Sequence, residues 1–157
     1  MTQVARVAVL SGLAVLMFGC GDSSEPVRRA PEPISASVDL AIGAFDDGPE
    51  AFGRITGLTE DSQGRIYVAD YEAGEVRVFA PDGQHLFTFG GKGAGPGELA
   101  SPCCLAWAPD GSLWVRDGGN QRYSGFDVGA TAAVFRSALP MAHTDVNYFA
   151  PITFTGS

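Results

Sequence analysis

The chain has 157 residues, of which 21 are glycine and 10 are proline, and this proportion disfavours a bundle of helices. Hydrophobic residues make up 45% of the chain and charged residues 18%, so the sequence is too apolar for a disordered protein and should fold around a core. Acidic residues outnumber basic ones by 18 to 10, and Arg28-Arg29 is the only pair of adjacent basic residues, which excludes nucleic acid as a main partner.

The first residues have the features of an export signal. A short basic start that contains Arg6 precedes an uninterrupted run of mostly apolar residues, positions 7–18. A helix that crosses a bilayer needs about 20 apolar residues, whereas the apolar core of a signal peptide has about 7 to 15. We therefore predict that residues 1–19 are a signal peptide that is absent from the mature protein.

The step Gly19-Cys20 at the end of this run resembles the lipobox of bacterial lipoproteins, with Met17 and Phe18 departing from its preferred residues. The resemblance implies cleavage before Cys20, attachment of a diacylglycerol to its sulfur, acylation with fatty acids such as palmitate, and anchoring in a lipid bilayer. The alternative is ordinary cleavage that leaves Cys20 as a thiol. Residues 20–36 are polar and proline-rich and are predicted to form a tether, which places the protein in the bacterial cell envelope, facing the periplasm or the exterior.

The rest of the chain repeats with a period of 47 residues. Shifting segment 43–90 by this period aligns the following positions without a gap: Gly43 with Gly90, Gly48-Pro49 with Gly95-Pro96, Leu58 with Leu105, Gly64 with Gly111, Val68 with Val115, Asp70 with Asp117, and Phe79 with Phe126. Turn residues and apolar residues repeat together. A period of this length is typical of propeller blades, each of which is a sheet of four strands.

Four short strands are predicted in each repeat. In the first repeat, 55–89, they are residues 55–60, 65–69, 75–79 and 85–89, separated by turns rich in glycine, proline and aspartate. The second repeat is predicted over 102–136, and Ser137 to Tyr148 is interpreted as a loop or insertion. Two partial strands flank the repeats: residues 38–42 lie 47 positions before a fourth strand, and a third repeat would start near Ile152.

These repeats resemble the NHL repeat. The resemblance rests on GRIYVAD at 64–70, VRVF at 76–79, FGGKGAGPGEL at 89–99 and PDGSLWVRD at 109–117, and it covers about 38–136. The second repeat has Pro102-Cys103-Cys104-Leu105 where the family has Pro-x-Gly-Ile. The resemblance implies an all-β, six-bladed β-propeller, of which residues 37–157 would be about two blades. We therefore expect the sequence to be a fragment; the alternative is a complete small β domain that assembles with other chains.

Two features are candidate site residues. Asp70 and Asp117 end the second strand of each repeat, where a carboxylate can accept turn N–H groups or pair with Arg77 or Arg122. Because a catalytic group is seldom copied at the same place in successive blades, we interpret both as structural.

The other feature is the pair Cys103-Cys104. With Cys20 lipidated, these two thiols would pair with each other or with another chain, or pack reduced as small apolar side chains. A vicinal disulfide between them would strain the backbone, because adjacent Cα atoms are closer than a disulfide prefers.

No catalytic set is visible in the sequence. The two histidines, His85 and His143, form no ligand cluster, so no metal and no cofactor are expected. We therefore expect a non-enzymatic scaffold that binds a small molecule or a protein at the propeller face. The alternatives are a propeller-type lactonase or lyase, whose metal and catalytic residues would lie in missing blades, and a purely structural envelope protein.

Overall fold

The computed structural model describes residues 34–45, 47–142 and 152–154. The predicted signal peptide, Cys20, most of the tether and His143 lie outside this range. Within it, the chain forms two four-stranded antiparallel sheets and one short 3-10 helix, Gly118–Asn120, so the expected all-β class is confirmed. In this part of the chain, no helix is long and apolar enough to cross a membrane.

The first sheet is a meander in which each strand pairs with the next along the chain. Its strands are β1 (Ile55–Glu60), β2 (Ile66–Asp70), β3 (Glu75–Phe79) and β4 (His85–Gly90). Two of its turns end in glycines with positive φ, Gly64 at 77° and Gly83 at 88°, a conformation that other residues rarely adopt. The predicted strands and turns of the first repeat are therefore present.

The second sheet repeats this meander. Its strands are β5 (Pro102–Trp107), β6 (Leu113–Asp117), β7 (Arg122–Val128) and β8 (Ala133–Pro140). The last strand runs past residue 136, where the repeat was predicted to end, and takes in the first four residues of the predicted loop. Because β7 is seven residues long, its first residue, Arg122, still finds a partner in Pro140.

The core lies between the two sheets. Side chains from both facing surfaces form one buried cluster, which contains Tyr67, Ala69, Val76, Val78, Phe87, Phe89, Leu99, Leu113, Val115 and Phe126. Full burial of one large apolar side chain contributes about 1.5–3 kcal/mol. The rings of Phe89 and Phe126 have centroids 4.8 Å apart, and Tyr67 meets Trp107 edge to face at 5.1 Å.

Strands β1 and β5 are joined at both ends of the pair. Near the start of β1, the hydroxyl of Thr56 donates to the carbonyl of Pro102 at 2.7 Å. Near its end, the indole N–H of Trp107 donates to the carbonyl of Glu60 at 3.0 Å. The first strands of the two sheets therefore lie side by side, while the later strands pack through side chains.

Two expected strands are not formed. Residues 38–42 have no strand pairing, and the side chains of Leu40 and Ile42 lie against the turn at Gly83. A segment of alternating apolar residues becomes a strand only when its backbone groups pair with those of a neighbouring strand, and the pattern of the segment alone does not decide this. Residues 152–154 are also unpaired, although the ring of Phe154 lies 6.5 Å from that of Trp114.

Candidate functional site

Asp70 fastens three stretches of the first sheet together. Its carboxylate accepts the backbone N–H groups of Gly53 and Arg54 before β1, at 2.9 and 3.1 Å, and those of Glu72 and Ala73 after β2, at 3.1 and 3.3 Å. Burial alone would raise the pKa of this carboxyl, but these four N–H donors outweigh it and hold the pKa below its usual value.

The guanidinium of Arg77 lies 3.5 Å from the Asp70 carboxylate. Arg77 also donates to the carbonyls of Pro49 and Ala51 and lies over the ring of Phe52. Asp70 therefore contacts backbone N–H groups before β1 and in the turn after β2, together with the side chain of Arg77.

Asp117 occupies the same place in the second sheet. It accepts the N–H groups of Ala100 and Ser101, both at 3.0 Å, and the side-chain amide of Asn120 at 2.6 Å. Arg122 lies 3.5 Å from the carboxylate. Each aspartate thus ties the segment before the first strand to the end of the second strand of its own sheet.

A cavity of about 380 Å³ lies between the sheets, at the end where these two carboxylates lie. Its walls come from the starts of β1 and β5 and from the ends of β2 and β6. The lining residues are Arg54, Thr56, Tyr71, Ser101, Cys103, Arg116, Gly118 and Gly119. Two of them are cations and none is acidic, in a chain whose net charge is −8.

Arg54 and Tyr71 form one wall of this cavity as a stacked pair. The guanidinium carbon of Arg54 lies 3.7 Å from the centroid of the Tyr71 ring, a cation–π contact. A hydrogen bond with Ser101 lowers the pKa of the Tyr71 phenol below its usual value, and the positive charges of Arg54 and Lys92 lower it further. The electrostatic potential at this wall of the cavity is therefore positive.

Arg116 and Cys103 form the deep wall. Arg116 is 1% exposed and Cys103 is 7% exposed, and they face each other in the β5–β6 pairing. Burial raises the pKa of the Cys103 thiol to about 12, and a hydrogen bond from Cys104 adds to this effect. Cys103 is therefore neutral near pH 7, and a neutral thiol is a poor nucleophile.

Cys103 and Cys104 are present as two thiols in contact, with Cys104 donating to the sulfur of Cys103 at 2.8 Å. Cys104 is the extra residue of a β-bulge between Cys103 and Leu105, and its φ is 55°. A non-glycine residue is uncommon in this left-handed region. In β1 the bulge falls at Thr56 instead. The vicinal disulfide stays a prediction about the oxidised protein.

Of the residues that line the cavity, the sequence pointed only to Cys103 as a candidate. The 47-residue period pairs Arg54 with Ser101, Tyr71 with Gly118, and Ala69 with Arg116, so the repeats differ at each of these positions. Residues that hold a repeat together tend to recur, as Asp70 and Asp117 do. The differences between the aligned repeats were therefore the signal that could have found this site.

Within the described ranges, no three histidine, cysteine, aspartate or glutamate side chains are grouped to hold an ion. His85 lies on β4, with Nε2 2.9 Å from the hydroxyl of Thr88.

No protein-family model matches this chain, and no curated protein matches it at a significant level. The candidate site therefore stands on its own geometry.

Proposed function

We propose that this chain belongs to an NHL-type β-propeller lipoprotein, which is anchored in the bacterial envelope through Cys20 and binds a small molecule or protein without catalysing a reaction. Support for the propeller comes from the repetition: two four-stranded meanders with a 47-residue period pack face to face, with their first strands side by side. Propeller blades have this arrangement.

The outer surface of the first sheet also supports further blades. Leu105 in β5 packs against the core between the sheets, whereas the equivalent Leu58 in β1 points away from it and is 66% exposed. Leu58 pairs with Val68, so both lie on the surface that would meet a preceding blade. A third sheet would cover Leu58 as the first sheet covers Leu105.

The cavity between the sheets is the observation that carries the binding function. Its volume suits a small ligand, and its polar side chains stand at positions where the two repeats differ. Propellers commonly use irregular positions at one end of the blades for recognition, since the strands themselves are needed for packing.

A screen of the full chain against charged and neutral small molecules, read out by thermal unfolding, tests the binding function. Ser101 lines the cavity, so Ser101→Phe should fill it and abolish stabilisation by ligands. Ser62, in an exposed turn at the far end of the sheet, gives the matched control Ser62→Phe, which should keep it. A folded wild-type chain with no ligand of any class would refute small-molecule binding and favour a protein partner or a structural role.

Labelling with palmitate in a bacterial host tests the anchor. The wild-type chain should incorporate label, whereas Cys20→Ser should not, because the sulfur of Cys20 starts the attachment. Equal labelling of the two chains would refute lipidation at Cys20.

A further inference from the structure

Two adjacent cysteines meet on one side of strand β5. Successive side chains of a regular strand point to opposite faces of the sheet, so neighbouring cysteines are normally kept apart. The β-bulge at Cys104 interrupts this alternation, and the sulfur atoms of Cys103 and Cys104 lie 2.8 Å apart. A disulfide bond is about 2.04 Å long, so the sulfur atoms need to approach by less than about 1 Å to form one. The second sheet therefore holds its two thiols in position to bond with each other.

The backbone at Cys104 has a conformation that glycine adopts more readily. Its φ of 55° lies in the left-handed region, where a residue other than glycine is strained by about 1–3 kcal/mol. The aligned residue of the first repeat is Gly57, and the bulge of that sheet falls one position earlier, at Thr56. The second repeat thus keeps a cysteine where the first has a glycine. An outlier of this kind points to a function of the side chain.

The cysteine pair lies beside both the cavity and the junction of the two sheets. Cys103 lines the cavity. The carbonyl of Pro102, directly before the pair, accepts the hydroxyl of Thr56 at 2.7 Å. A side chain at Gly57 would place its Cβ 2.9 Å from the backbone nitrogen of Cys104, so β1 packs closely on the bulge. A change in the backbone of the pair therefore acts on the cavity wall and on the contact between β1 and β5.

We propose that Cys103 and Cys104 are a redox-modification site, which a small disulfide oxidises to a vicinal disulfide and which a thiol returns to the reduced state seen in the structure. Exported proteins meet oxidising surroundings, so this inference rests on the proposed location in the envelope for its oxidant. It goes beyond the proposed function because it makes the wall of the cavity depend on the redox state.

The reaction takes two exchange steps. Cys104 is the more exposed of the two; it loses its proton and attacks one sulfur of the small disulfide R–S–S–R, and the first R–S⁻ takes up a proton as it leaves. Cys103 then gives its proton to water and attacks the sulfur of Cys104, which expels the second R–S⁻. Two S–H groups of the protein and one R–S–S–R thus become one protein disulfide and two R–SH, and the two electrons pass to the small disulfide.

Equilibration of the full chain with mixtures of reduced and oxidised glutathione tests the proposal. The chain carries Cys20→Ser, so that the third thiol takes no part. It is reduced, equilibrated, quenched with acid, unfolded and alkylated, and the peptide with both cysteines is measured by mass spectrometry. With rising oxidised glutathione, this peptide should lose both alkyl groups and become two hydrogens lighter, and dithiothreitol should restore the alkylated form. The amides of residues 103–105 should exchange hydrogen more slowly after oxidation, since the ring restrains them.

Two variants and the unfolded chain are the controls. Cys103→Ser removes the second attacking thiol, so Cys104 should keep one glutathione as a mixed disulfide. Cys104→Ser leaves only the buried thiol, which should react at least about tenfold more slowly, because a neutral thiol is a poor nucleophile. The wild-type pair unfolded in urea lacks the bulge. It should need at least about tenfold more oxidised glutathione for the same oxidised fraction, since it must adopt the strained backbone when the ring forms.

The outcomes separate this inference from the proposed function. Two alkyl groups on the folded chain at every glutathione ratio would overturn the redox site and leave both thiols as small apolar side chains. Glutathione adducts or linked dimers in place of the ring would overturn the vicinal disulfide. Equal oxidation of the folded and unfolded chains would overturn the geometry on which the site rests. None of these results bears on ligand binding or lipidation, which the screen and the palmitate labelling test separately.

Discussion

Removing the carboxylate of Asp70 should destabilise the first sheet more than any change at an exposed aspartate. Asp70 is fully buried and accepts four backbone N–H groups, two before β1 and two after β2. In Asp70→Ala all four donors lose their acceptor, and the buried guanidinium of Arg77 loses the carboxylate 3.5 Å away.

The expected magnitude follows from these contacts. Hydrogen bonds to a charged acceptor contribute about 1.5–3 kcal/mol each, but bonds that share one acceptor are not additive. Loss of one partner from a buried charged network costs about 3–5 kcal/mol, and we expect Asp70→Ala to lower the free energy of unfolding by that amount. Asp70→Asn keeps one acceptor oxygen and should cost about 2–3 kcal/mol.

Urea-induced unfolding of the full chain at pH 7, followed by tryptophan fluorescence, measures the effect. Asp82 is the control, because it accepts a single N–H, that of Gln84, at 3.0 Å in an exposed turn. Asp82→Ala should cost about 0.5–1 kcal/mol. If Asp70→Ala costs no more than Asp82→Ala, the N–H contacts of Asp70 do not stabilise the fold, and its structural role is refuted.

The stability difference between the wild type and the Asp70 variants should become smaller at low pH. Because the folded-state pKa of Asp70 lies below its usual value, its contribution is fully present above the unfolded-state pKa of about 3.9. The contribution is then lost as the pH falls through the lower, folded-state pKa. The difference in stability between the wild type and Asp70→Asn should therefore stay constant from pH 7 to about 5 and narrow below about 4.

Two further predictions concern the cavity. Arg54→Gln should raise the pKa of the Tyr71 phenol, because a nearby positive charge is removed. An ultraviolet titration of this variant, with Tyr71→Phe to identify the signal of Tyr71, measures the change. An unchanged pKa of the phenol would show that Arg54 does not act on it. Cys103 should react slowly with an alkylating reagent in the folded chain, since its thiol is neutral near pH 7. After unfolding without reductant, mass spectrometry of the peptide spanning 101–116 should show two alkyl groups, at Cys103 and Cys104. A mass two hydrogens light with no alkyl group would instead reveal a vicinal disulfide.

Much of the fold could be read from the sequence because its determinants are local. In β3 polar and apolar residues alternate, β2 is rich in β-branched and aromatic residues, and the glycines at 64 and 83 mark turns that require positive φ. Because the sequence repeats every 47 residues, the strands predicted in the first sheet could also be predicted 47 positions later, in the second sheet. The contacts of Asp70 with the turn after β2 also follow from its local position, since it lies where a strand ends and a turn begins. Its contacts with the segment before β1 are non-local, because the residues lie 16 and 17 positions away.

Two features of the fold differ from the sequence-based prediction because they depend on residues far away in the chain. Residues 38–42 alternate like a strand, but a strand needs a partner edge, and pairing is decided by what lies beside the segment. In the same way, β8 extends to Pro140 because β7 provides pairing partners along its whole length. The composition of residues 137–140 alone does not show that they belong to a strand.

The candidate site also depends partly on the local sequence and partly on tertiary packing. Arg54, Tyr71, Ser101 and Arg116 are separated by as many as 62 positions in the sequence, and no motif connects them. The repeat determined that two similar sheets exist, while the packing of one sheet on the other decided which side chains share a cavity. Because cavity walls come from the places where the repeats differ, only the tertiary structure could bring these groups together.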